Sequence, residues 1–189
     1  MIRLAVFASG NGSNAINLHH YFLNHPDIQF DRIYCNNPDA GILSKASREG
    51  IECRLFTRDE WRNGRIVSEL IANKTDFIVL AGFLWLVPED LITSFEGKII
   101  NIHPALLPAY GGKGMYGMRV HEAVIANGEK TSGITIHLVN KEYDRGEILF
   151  QEHIAVESSD TPETLAQKIH SLEHVFFPKV VEQFVLDHA

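Results

Sequence analysis

Cysteine is scarce: Cys35 and Cys53 are the only two in 189 residues. Their spacing suits neither a metal site nor a redox pair, and a disulfide framework is excluded. Two free thiols beside buried strands fit a reducing compartment, so the cytoplasm is the expected location. Long apolar runs are also missing. No stretch reaches the roughly 20 residues that a membrane-crossing helix needs, so no membrane partner is expected. Met1 to Ser9 runs straight into a strand-like segment without a basic region or cleavage pattern, so no signal peptide is expected. Cations are in the minority, with 17 Lys and Arg against 24 Asp and Glu and a formal net charge of −7. Nucleic acid is therefore not an expected partner, and an anionic ligand needs a local donor site. There is no G-x-S-x-G elbow for a serine nucleophile, no internal repeat and no low-complexity tract. A chain of this length, 45% hydrophobic, reads as one domain covering residues 1–189.

What is present alternates. Ile2 to Ala8 is an apolar run broken only by Arg3 and reads as a strand buried on both faces. Helix follows from Ala15 to Leu23, strand from Arg32 to Cys35, helix from Ala40 to Arg48, and strand from Glu52 to Phe56. Thr57 is the expected N-cap of one helix reaching about Ala72. Asp76 to Gly82 is the clearest buried strand, Pro88 opens a short helix, and Lys98-Ile-Ile leads out of a fifth strand into Asn101. The glycine-rich segment 110–118 reads as a mobile loop or lid, and Arg119 to Ala126 as helix. Two strands, Ser132 to Val139 and Glu147 to Val156, pair antiparallel across a polar loop holding Asp144. A last helix starts at Thr161-Pro162 with Leu165, Ile169, Leu172 and Phe176 as its buried stripe, and Pro178 kinks or restarts it. The expected fold is α/β, three-layered: a mostly parallel, Rossmann-like sheet with helices on both faces and an antiparallel strand near the C-terminal end. Ligands of such sheets bind beyond the carboxyl ends of the strands, where three unusual loops converge.

The first of these loops is Ser9-Gly-Asn-Gly-Ser-Asn14, between strand and helix. Its free N–H groups suit a phosphate. It also fits the dinucleotide fingerprint G-x-G-x-x-A, but the second strand ends in Cys35-Asn36-Asn37 without the acid that grips a ribose, so a single phosphate is preferred. The second loop follows Leu80-Ala-Gly-Phe83. The third is Asn101-Ile-His-Pro104, where strand alternation points Asn101 and His103 the same way and Pro104 keeps His103 extended. An amide donor beside a titratable imidazole suits acyl transfer. Asp144 gains a role if it meets His103, since a carboxylate raises an imidazole's pKa and would keep it protonated. His170-Ser-Leu-Glu-His174 matches the inverted zinc motif, but no third ligand is evident and no metal is expected.

Together Ser9–Asn14, Leu80–Phe83, Asn101–Pro108, Gly133–Val139 and Asp144–Gly146 resemble, in this order, the folate-dependent formyltransferases. The resemblance covers nearly the whole chain. It implies transfer of a formyl group from the co-substrate 10-formyltetrahydrofolate to the amine of phosphoribosylglycinamide. A 10-formyltetrahydrofolate hydrolase, or a transferase using another amine, is the alternative. The additional domains of the tRNA-directed and hydrolytic relatives are not expected in a sequence of this length. The resemblance implies Asn101, His103 and Asp144 as catalytic residues. It implies Gly12, Ser13 and Asn14 around the phosphate, with His170 and with Glu173 at the glycinamide end. It assigns Leu84, Trp85, Leu86 and Val87, with Asn101, Asn140 and Arg58, to the folate. A homodimer is left open. The chain departs from the family pattern with Trp85 where Arg is common, Ala105 for Ser, Ala109 for a basic residue, His170 for Gln, and a longer loop at 110–118.

Overall fold

In the computed structural model, which describes all 189 residues, the strands are β1 (Ile2–Ala8), β2 (Ile28–Cys35), β3 (Cys53–Leu55), β4 (Phe77–Leu80), β5 (Ile99–His103), β6 (Thr131–Leu138) and β7 (Ile148–Ala155). The helices are α1 (Ser13–Phe22), α2 (Gly41–Glu49), α3 (Arg58–Arg62), α4 (Arg65–Ala72), α5 (Glu89–Ser94), α6 (Met118–Ala126) and α7 (Pro162–Asp187). They build one seven-stranded sheet of order β3-β2-β1-β4-β5-β6-β7. Strands β1 to β5 pair in parallel, and β6 runs antiparallel to both β5 and β7. The order reverses between β1 and β4, which opens a crevice at their carboxyl ends.

Alternation along β1 sorts the core. Leu4, Val6 and Ala8 join the cluster under α1, α2, α6 and α7, whereas Ala5 and Phe7 join the one under α3, α4 and α5. At β5 and β6, Ile100, Ile102, Ile134 and Ile136 face the first cluster. Their neighbours Asn101, His103, Thr135 and His137 therefore point to the opposite face. There loops rather than helices provide the cover, which leaves room for polar chemistry.

Three local expectations are corrected. The helix after Thr57 is two helices: Gly64 takes a left-handed φ of 77° and Asn63 Oδ1 accepts the Arg65 N–H at 3.1 Å, so the chain turns between α3 and α4. Thr57 does cap α3 in a capping box with Glu60. The stripe of α7 runs through Leu165, Ile169, Glu173 and Phe177, with Leu172 and Phe176 only half-buried on its flank. Pro178 does not restart that helix, which runs on from Pro162 to Asp187. Both halves bury apolar side chains in one cluster, and this packing carries the helix past the missing N–H bond.

Candidate active site

A cavity of about 750 Å³ lies along the carboxyl edge of β1, β4 and β5. At one end is the glycine loop. Gly12 holds the left-handed φ of 70° that lets the chain enter α1, and a Cβ there would collide with Ile42. No side chain caps α1 and no acid lies in its first turn, so its leading N–H groups face the cavity unneutralised. Ser13 Oγ lies 2.7 Å from His170 Nε2, and Asn14 Nδ2 donates to Glu173 Oε2 at 2.8 Å. Glu173 is only 9% exposed. Burial pushes its carboxyl up to about 6, against a smaller downward pull from Asn14.

At the other end stand Asn101, His103 and Asp144. His103 Nε2 donates to the Tyr110 carbonyl at 2.7 Å, which leaves Nδ1 as an acceptor. That Nδ1 lies 3.6 Å from Asp144 Oδ2, beyond direct bonding range. His137 completes the cluster. Its Nδ1–H donates to the Leu138 carbonyl at 2.7 Å, so Nε2 accepts from Asn101 Nδ2 at 3.0 Å and fixes the orientation of that amide. Asp144 Oδ1 is 3.6 Å from the same Nε2.

The expectation that Asp144 keeps His103 protonated is corrected. His103 is 4% exposed, and burial lowers its pKa more than Asp144 and the Tyr110 carbonyl raise it, with His137 lowering it further. For Asp144 burial pushes upward, but His137 and His103 in their protonated, charged forms and the Gly112 N–H together outweigh it and hold the carboxyl below its ordinary value. Both shifts favour a neutral His103 beside a charged Asp144.

Backbone strain is concentrated here. Tyr110 and Asp144 both have positive φ, 55° and 54°, each costing on the order of 1–3 kcal/mol. Tyr110 is held by its own hydroxyl, which donates to Glu129 at 2.6 Å and accepts from Asn127 at 2.9 Å. Asp144 is held by the Gly112 N–H at 2.8 Å. Gly146 lets the loop pack on the Leu138 carbonyl, where a Cβ would clash. Glycines 112, 114 and 117 line the cavity with Met115 and Tyr116, so segment 110–118 forms one of its walls.

A second, narrow slot opens on the far side of Asn101 and Asp144. It is lined by Leu80, Phe83, Trp85, Leu86, Val87, Val139 and Asn140. Trp61 Nε1 donates to the Leu86 carbonyl at 3.0 Å and holds that segment. Leu84 faces the large cavity instead, its N–H donating to Ser9 Oγ at 3.1 Å. Arg58 lines neither cavity. Its guanidinium lies over the Trp85 ring, 5.1 Å from the centroid, and so meets the slot only through that ring.

The structure thus brings together Gly12, Ser13, Asn14, His170 and Glu173 at one end, and Asn101, His103 and Asp144 at the other. His170 and His174 stack at 4.1 Å between centroids, and no group of three or more His, Cys, Asp or Glu has metal-holding geometry. Three contributors escaped the sequence reading. His137 lies inside a quoted motif without a role, His121 is buried on the cavity wall, and Thr135 bonds the Ala105 carbonyl at 2.7 Å to brace the turn after β5. Alternation was the available signal: Thr135 and His137 share the face opposite Ile134 and Ile136, and polar residues buried at a β5 pairing are rarely idle.

Residues 2–181 match the family model described as "Formyl transferase". The chain is 42% identical over 187 residues to a chloroplastic phosphoribosylglycinamide formyltransferase of Arabidopsis thaliana, covering 95% of this chain and 64% of that protein. It is 43% identical to the Vigna unguiculata counterpart over 95% of this chain and 60% of that protein. The chain therefore spans less than two thirds of these two plant relatives. Against the phosphoribosylglycinamide formyltransferase of Bacillus subtilis the identity is 36%, covering 98% of this chain and 95% of that one. Among solved structures, the phosphoribosylglycinamide formyltransferase of Anaplasma phagocytophilum superposes with TM-score 0.88 at 34% identity, over 98% of this chain and 88% of that one. With a family model matched over residues 2–181 and a relative 36% identical over 98% of this chain, this chain belongs to the formyl transferase family.

Proposed function

We propose that this chain transfers the formyl group of 10-formyltetrahydrofolate to the amine of 5'-phosphoribosylglycinamide, a step of purine biosynthesis. One observation carries the reading: Asn101 and Asp144 stand on the wall shared by the large cavity and the slot. A phosphorylated acceptor anchored at Gly12–Asn14 reaches that wall from one side. A flat ring in the apolar slot, bonded to the backbone of 84–87, reaches it from the other. The slot's aromatic and aliphatic walls suit the faces of a flat ring and Asn140 lines it, but its volume is about 50 Å³, so it must open to admit a pterin.

The folate supplies an activated formyl group, and the chain supplies position, donors and a proton path. The acceptor amine attacks the formyl carbon, forming the new C–N bond and an oxyanion. Asn101 has a second amide N–H to offer that oxyanion, because His137 takes the first. The amine's proton passes to His103 Nδ1, and Asp144 stabilises the transient imidazolium. His103 then returns the proton to the leaving folate nitrogen as its bond to the formyl carbon breaks. No protein nucleophile is needed, because the acceptor amine attacks the formyl carbon directly.

Incubation with both substrates tests the proposal. The acceptor should gain one formyl group by mass, and tetrahydrofolate should appear in equal amount. Donor loss with no formylated acceptor would instead favour a hydrolase. No helix is long and apolar enough to cross a membrane. We propose the cytoplasm as the compartment, as the sequence reading expects. The two plant relatives are named chloroplastic, so cell fractionation decides it.

A further inference from the structure

Ser13 lines two spaces. One is the large cavity, and the other is an outer cleft of about 520 Å³ between α1, α2 and α7. Lys45, Arg48, His20 and His174 line that cleft, with Glu49 as its one acid. Glu49 is already taken by His20, at 3.1 Å. Lys45 is half-buried and has neither a carboxylate nor a hydrogen-bond partner. The one other half-buried lysine in this acidic chain, Lys168, pairs with Asp160. A half-buried lysine left unpaired beside an uncapped helix start concentrates positive charge at one point. That charge is felt across Ser13, where it adds to burial in depressing the His170 imidazole.

We propose that Lys45 is a phosphate-binding residue: its ammonium approaches Ser13 from the outer cleft and closes the glycine-loop cradle opposite His170. This rests on the reading of Gly12–Asn14 as a phosphate cradle and adds a residue from a different helix. The ligand it selects is a phosphate monoester in its dianionic form. A single imidazole and backbone N–H groups offer such a dianion at most one full charge, and Lys45 adds a second. The lysine stem is long and flexible enough to follow the anion inward. The acceptor's phosphate, rather than its amine, is what this residue reads.

The test separates this residue from the reaction. Lys45→Met should raise KM for phosphoribosylglycinamide about tenfold or more, leave kcat within about twofold, and leave the dephosphorylated riboside unaffected. Inorganic phosphate should inhibit or bind the parent protein and do so about tenfold more weakly in Lys45→Met, with Lys45→Arg close to the parent. The phosphate arm needs no turnover. If phosphoribosylglycinamide is not a substrate but phosphate binding still depends on Lys45, the proposed reaction fails and the cradle stands. Equal phosphate affinity in the parent and Lys45→Met, or equal loss for the riboside, would overturn the inference.

Discussion

His103 Nδ1 and Asp144 Oδ2 face each other at 3.6 Å, an unprotonated imidazole nitrogen opposite a charged carboxylate. On the proposed mechanism the working form of the site is the one in which His103 has lost its proton. Because burial outweighs the carboxylate, that proton leaves below the ordinary 6.5. The value of kcat/KM should rise with pH as His103 deprotonates and level off by neutrality. Asp144→Asn removes an influence that raises His103. Its acid limb should move to lower pH while kcat falls by roughly 10²–10⁴. An acid limb that moves upward would contradict the assignment.

Asn101 and His137 should behave as a unit. Losing Asn101 removes the oxyanion donor, costing on the order of 10²–10³ in kcat. His137→Ala leaves the amide free to turn, so a smaller kcat loss is expected with little change in either KM. In the double variant the losses should not multiply, because His137 acts through Asn101. Multiplicative losses in steady-state kinetics would give His137 an independent role.

Glu173 should trade stability for binding. Its carboxyl titrates at about 6 against an ordinary 4.5, so the folded protein holds this proton more tightly than the unfolded chain does. The side chain therefore favours folding at low pH, and that contribution is lost as pH rises through about 6. Above that point ionised Glu173 costs about 2 kcal/mol. Glu173→Gln should gain up to that amount in urea unfolding at neutral pH and almost nothing near pH 4, while raising KM for the acceptor. Equal effects at both pH values would contradict this account.

Trp85 and Arg58 should affect the donor alone. Trp85→Ala removes an aromatic wall of the slot and the platform beneath Arg58. Donor KM is expected to rise several-fold, with acceptor KM unchanged. Arg58→Ala should have a weaker effect of the same sign, since an exposed cation–π contact contributes about 0.5–1 kcal/mol. A larger effect on the acceptor than on the donor would reverse the assignment of the two cavities.

The parts of the site that sequence could reveal are those set by local rules. The glycine loop announces its own turn, and strand alternation aims Asn101 and His103 together before any fold is known. Pairing register is not local: only the match of Asn101 to His137 shows why that histidine matters. Burial is not local either. A pairing of His103 with Asp144 suggests a protonated imidazole, but the depth of His103 reverses the balance. Likewise the α7 stripe shifts to Glu173 because the residue above it is Asn14, from the far end of the chain. The break at Asn63–Gly64 was readable, since Asn-Gly is a turn signal.

The most direct measurement is spectral release of the formyl group from 10-formyltetrahydrofolate, with and without phosphoribosylglycinamide. The account predicts release that depends on the acceptor, saturates with it and is lost in His103→Ala. Release at the same rate without acceptor, or acceptor-dependent release that survives His103→Ala unchanged, would contradict it.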